Sequence, residues 1–90
     1  MMKTGKLIVG NQLGLHLGAA ASIVELLEDY EVEVSFISGS CQINARSLMD
    51  IISLAAPYGT ILSVEVSGRD SEAAFLALKK LFEENFGEDD

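Results

Sequence analysis

An α+β fold is predicted, an open-faced β-sandwich in which a four-stranded antiparallel sheet is covered on one side by three helices. Three observations lead there. The chain has 90 residues, enough for one hydrophobic core and too few for two. Stretches that alternate with period two trade places with stretches of helical spacing, in the order βαββαβα. The helical stretches are apolar on single faces, so three of them cover one side of a four-stranded sheet and leave the other to solvent.

The elements follow in order. "KLIVG" opens a short strand, and "NQLGLHLG" is a loop by its asparagine and two glycines. A helix is predicted over 19–30, where Ala20, Ile23, Val24, Leu27 and Tyr30 recur at three- and four-residue spacing and Glu25, Glu28 and Asp29 take other faces. "VEVSFI" alternates and "SGS" turns it into "CQIN", so 32–44 reads as a β-hairpin. The second helix starts near Ser47, which has Asp50 three residues on, a capping box with Asp in place of Glu, and "APYG" stops it. Period-two alternation returns over 60–67, and "RDSEAAFLALKKLFEENF" is a long last helix with Ala74, Phe75, Leu78, Leu81 and Phe82 on one side. One domain is expected over 1–86, followed by a short acidic tail over 87–90 expected to be mobile.

Composition removes several classes of function. Lys and Arg total 6 against 14 Asp plus Glu, a formal net charge of −8, which opposes binding to a phosphate backbone, so nucleic acid is not an expected partner. No apolar run approaches the roughly 20 residues needed to cross a bilayer, and no membrane insertion is expected. The start of the chain lacks the pattern of a secretory signal, and the lone Cys41 has no partner for a disulfide, so a soluble cytoplasmic monomer is expected. Cys41 reads as a small hydrophobe on one side of a strand, without chemistry of its own. One histidine and one cysteine do not make a metal site, the carboxylates of "EENFGEDD" read as a solvated end, and no cofactor is expected.

The single histidine carries the functional reading. His16 sits two residues before Gly18 in the loop that feeds the first helix, where backbone N–H groups lack helical acceptors and the macrodipole is positive. That end suits an anion and disfavours a cationic imidazole, which leaves a ring nitrogen able to attack an electrophile. A phosphoryl group on that nitrogen would lie against the free amides of Gly18, Ala19 and Ala20. The plain alternative is a polar loop residue or a helix cap, which the same position also allows.

At this point the chain resembles a family. "GLH" opening a helix after a first strand, followed about thirty residues on by "ARSLMDIISLAAPYGTIL", looks like HPr, the histidine phosphocarrier of the sugar phosphotransferase system. The resemblance spans nearly the whole chain and includes the element order, the alanine-rich first helix ending in "DY" and the serine opening the second helix. It implies that His16 accepts phosphate from an enzyme I charged by phosphoenolpyruvate and passes it to an enzyme IIA domain. It further implies that Ser47 is a regulatory site for an HPr kinase and that Leu48 and Met49 belong to the partner-docking face.

Two departures qualify what the resemblance implies. The family's motif continues after the histidine with a small residue, arginine, proline and alanine, whereas Leu17, Gly18, Ala19 and Ala20 stand here. A charge-assisted hydrogen bond from that arginine is worth roughly 1.5–3 kcal/mol, or roughly 10- to 100-fold in the phosphorylation equilibrium. Whether Arg46 reaches His16 instead is open at this level. Glu25, Glu28 and Asp50 also make the rim of the docking face acidic, which calls for a partner of altered charge or a role outside sugar uptake. Ser47 has an alternative too, as an ordinary N-cap, and Leu48 and Met49 as ordinary core. Two functions therefore stand: a phosphoryl carrier on His16, and a regulatory module that keeps the fold and the docking face but transfers phosphate weakly or not at all.

Overall fold

A computed structural model describes residues 1–88. The elements are β1 (Met2–Ile8), α1 (Leu17–Leu27), β2 (Glu33–Ser38), β3 (Cys41–Asn44), α2 (Leu48–Leu54), β4 (Ile61–Ser67) and α3 (Ser71–Glu83), with a 3₁₀ turn over Asn85–Gly87. The four strands form one antiparallel sheet in the order β1-β4-β2-β3. β1 is longer than "KLIVG" suggests because it pairs with all of β4, from Met2 opposite Ser67 to Ile8 opposite Ile61.

Alternation along the strands sends one set of side chains to the helices. Leu62, Val64 and Val66 of β4 and Val34 and Phe36 of β2 are buried on the helical side, against Ala19, Ala20, Ile23 and Leu27 of α1, Ile51 of α2 and Ala74, Leu78 and Phe82 of α3. Phe36 is fully buried and meets Phe82 edge-on, with ring centroids 5.9 Å apart. Truncating such a ring costs about 3–5 kcal/mol.

The helix boundaries differ from the sequence reading in ways that have physical causes. α1 starts at Leu17, two residues early, because His16 itself caps it. It ends at Leu27 rather than at Tyr30. There Arg46 Nη1 donates to the carbonyls of Leu27 at 2.8 Å and Tyr30 at 3.1 Å, satisfying acceptors that the helix would otherwise leave open.

α3 stops at Glu83, short of the expected long helix, and the chain reverses. Asn85 and Phe86 both adopt left-handed backbone, with φ of 53° and 58°. For a bulky residue such as Phe86 that conformation costs on the order of 1–3 kcal/mol. The reversal lets the Phe86 ring pack on Phe82 with centroids 4.8 Å apart. It also turns Glu88 back toward the start of α1. Glu88 is therefore part of the folded body and not of a solvated end, while Asp89 and Asp90, the rest of the expected 87–90 tail, lie outside the described residues. Cys41 is exposed at the first position of β3, opposite Ser38.

Candidate phosphoryl site at the start of the first helix

The loop before α1 is built to present His16. Gly14 has φ of +70°, and a Cβ there would stand 2.5 Å from the Ala56 carbonyl oxygen, so the position requires glycine twice over. That same oxygen accepts from Leu15 N–H at 2.9 Å, which ties the loop to the turn after α2. Buried Asn11 donates through Nδ2 to the Gly14 carbonyl at 2.8 Å and closes the loop from the other side. With the backbone fixed on both flanks, His16 takes the extended conformation of an N-cap, φ −74° and ψ −179°.

Both ring nitrogens of His16 are engaged. Nδ1 accepts from the Gly18 amide at 3.0 Å, the side-chain cap of α1. Nε2 bonds to Oε2 of Glu88, whose Oε1 accepts from Asn11 Nδ2 at 3.0 Å. An acceptor at Nδ1 carries no proton, so the proton of a neutral ring is on Nε2 and faces the carboxylate. Burial by itself would raise the Glu88 pKa. The hydrogen bonds from His16 and Asn11, with the attraction of the ring's charge whenever it is protonated, outweigh it and hold the carboxyl below the usual glutamate range. The His16 side chain is 32% exposed, so one edge of the ring is open to a partner.

The sequence-derived residues fall into two groups. Gly18 is at the site, and its amide points at Nδ1. Ala19 and Ala20 have no exposed surface, and the Ala20 amide already donates to the His16 carbonyl at 2.9 Å, so neither offers an amide to a phosphate, contrary to the expectation for them. Leu17, the first residue of α1, is exposed. Arg46 does not reach the site. Its guanidinium is held at the far end of α1, roughly 16 Å away by the helical rise.

Ser47 caps α2, its Oγ accepting from the Asp50 amide at 3.2 Å. The reciprocal half of a capping box is absent, because the Asp50 carboxylate accepts from Asn44 N–H at 3.1 Å instead of from Ser47. Met49 is 69% exposed, whereas Leu48 is half-buried against the core. The apolar surface near His16 is instead extended by Leu13 and Leu17, exposed at 72% and 62%, both of which the sequence reading placed in the loop. Glu88 was also missed: no local pattern links it to a histidine 72 positions away.

Comparison with known proteins decides what kind of molecule carries this site. A family model described as the PTS HPr component phosphorylation site matches residues 3–84. The chain belongs to the HPr family. Phosphocarrier protein HPr of Xylella fastidiosa is 38% identical over 84 residues, covering 93% of this chain and 94% of that protein. Phosphocarrier protein HPr of Treponema pallidum is 32% identical over 79 residues, covering 88% and 90%. Among solved structures, HPr-C-His from Thermoanaerobacter tengcongensis superposes with a TM-score of 0.92 at 31% identity, over 97% of this chain and 98% of that one. The open-faced sandwich is thus the HPr fold, in a phosphocarrier family of the phosphotransferase system. None of the helices in the described residues is long and apolar enough to cross a membrane.

Proposed function

We propose that His16 is a transient phosphoryl acceptor, charged by an enzyme I-like donor and discharged to an enzyme IIA-type acceptor. The observation that carries the reading is the orientation of the ring: Nδ1 has its lone pair at the positive end of α1 and bonded to the Gly18 amide, on a half-exposed residue. In the forward step the Nδ1 lone pair attacks phosphorus, and the bond from phosphorus to the donor atom breaks with its electron pair leaving on the donor. The Gly18 amide is then free to bond a phosphoryl oxygen, with the Leu17 amide beside it. In the second step the acceptor attacks phosphorus and the P–N bond returns its pair to Nδ1.

We assign docking to the exposed apolar side chains Leu13 and Leu17, which flank His16 in the chain, together with exposed Met49 in the first turn of α2. Exposed Glu25 on α1 and Glu28 at its C-cap add acidic charge on that side of the docking surface, so the partner we propose carries basic residues around an apolar centre. Phosphorylation of Ser47 by an HPr kinase would place a dianion beside exposed Met49 and oppose docking to an acidic partner, while favouring a basic one.

The test is labelling with phosphoenolpyruvate and enzyme I from the same source. Acid-labile label that disappears in His16→Ala supports the carrier. A second reading, a docking regulator without efficient transfer, is motivated by Gly18 in the arginine's place and by Arg46 being committed to the other end of α1. A folded protein that takes no label at high enzyme I concentration would sink the carrier and leave that second reading.

A further inference from the structure

The glycine that replaces the motif arginine and the carboxylate that returns from the C-terminal side are spatially linked. An ideal Cβ on residue 18 would lie 2.7 Å from His16 Cε1 and 3.2 Å from Nδ1. Any side chain there pushes the ring away from its present seat, and with it Nε2 away from Glu88. On the other side, Glu88 is aimed by a second anchor, the Asn11 amide, which is itself fixed to the Gly14 carbonyl. The left-handed backbone at Asn85 and Phe86 is what brings the carboxylate back over α1.

We propose that Glu88 is a positioning residue for His16 in phosphoryl transfer, and that Gly18 is the substitution that makes room for it. The inference rests on His16 as the acceptor. Other members of the family are expected to stabilise the phosphoryl group through the motif arginine; this chain instead acts on the opposite edge of the imidazole. When Nδ1 attacks phosphorus, the ring becomes an N-phosphoimidazolium that keeps its proton on Nε2. The Glu88 carboxylate accepts that proton's hydrogen bond and offsets the new positive charge. When the next acceptor attacks, the P–N bond breaks and Nδ1 leaves as part of a neutral imidazole, because Nε2 is still protonated. If Nε2 has lost its proton, the leaving group is an imidazolate, a far poorer one. Glu88 keeps the phosphorylated ring in the reactive form, and no proton moves at Nε2 in either step. Among the described residues, His16 Nε2 bonds the Glu88 carboxylate and Nδ1 the uncharged Gly18 amide, so Glu88 is the ionisable group there through which pH acts on Nε2.

The experiment has one arm on transfer and one on the unphosphorylated ring. Single-turnover transfer from the phosphorylated protein is followed from neutral to alkaline pH for the unsubstituted chain, Glu88→Gln, Gly18→Ala and the double variant. The alkaline fall in rate is expected to come at lower pH in Glu88→Gln, giving about tenfold slower transfer on that limb. Gly18→Ala, which favours the helix, is expected to reproduce the same profile, and the double variant to lose nothing more. An unchanged profile in Glu88→Gln, or independent additive losses, overturns the proposal. In the second arm, ¹⁵N NMR of the imidazole should show an Nε2-bound proton protected from exchange, and that protection should be lost in Glu88→Ala and in Gly18→Ala. Protection that persists in both variants overturns the pairing. This arm needs no phosphoryl transfer, so a chain that takes no label would refute His16 as acceptor, and with it the positioning role, while the pairing is still decided separately.

Discussion

The starts of α1 and α2 use the same device with opposite reach. Each helix is capped by a polar side chain that accepts from an amide two or three residues on, His16 from Gly18 and Ser47 from Asp50. The Ser47 cap is closed within its own neighbourhood: Asp50 bonds Asn44, the Ser47 amide bonds the Asn44 carbonyl, and the Asn44 side chain bonds the Arg46 amide. The His16 cap opens outward, through its second nitrogen, to a carboxylate on the far side of the chain. A hydroxyl has one site near the backbone to commit, whereas an imidazole has two nitrogens about 2 Å apart on opposite edges, so it caps a helix with one and is tuned through the other.

The largest break of this comparison is His16→Ala. It removes the proposed nucleophile and is expected to abolish acid-labile labelling altogether, while lost capping lowers stability by only about 1 kcal/mol, measurable by denaturant unfolding. Next is the pair of residues that follow Ser47. Leu48→Ala should destabilise by about 2 kcal/mol, since its side chain packs on the core, and Met49→Ala by less than about 0.5 kcal/mol, with its effect appearing in partner affinity. Equal stability losses for the two would remove Met49 from the docking surface. Smaller again is Ser47→Ala, expected to cost about 1 kcal/mol with no change in labelling of His16. Loss of label in that variant would mean the two caps are coupled, which their separate hydrogen-bond networks oppose.

The same contrast explains what could be read in the sequence. Period-two and helical spacing gave the element order, because burial on one face of a strand or helix is a local, repeated constraint. Ser47 was legible for the same reason, with its acceptor and donor three residues apart. His16 was legible as a residue in a special place, and the family resemblance supplies the chemistry proposed for it. What could not be read were arrangements made by tertiary contact: Arg46 capping the wrong end of α1 to serve as a replacement arginine, Ala19 and Ala20 sealed by the core, and Glu88 brought back by two left-handed residues. The trace that the Glu88 arrangement leaves in the sequence is Gly18, whose meaning depends on a ring lying across it.

The smallest effect sharpens the comparison most, because Ser47 has no counterpart to it. Glu88 has a depressed pKa in the folded protein, the net of burial opposing the charge and of His16 and Asn11 supporting it. A carboxyl whose folded pKa is below its unfolded value contributes stability that is present above the unfolded pKa and is lost as pH falls through the folded one. The unsubstituted chain should therefore melt above Glu88→Gln at neutral pH, and the gap should close on acidification through and below the ordinary glutamate range. Melting curves of both proteins against pH check it. A gap that stayed constant would mean that Glu88 stabilises by packing alone, and its carboxylate would then have no electrostatic hold on the histidine.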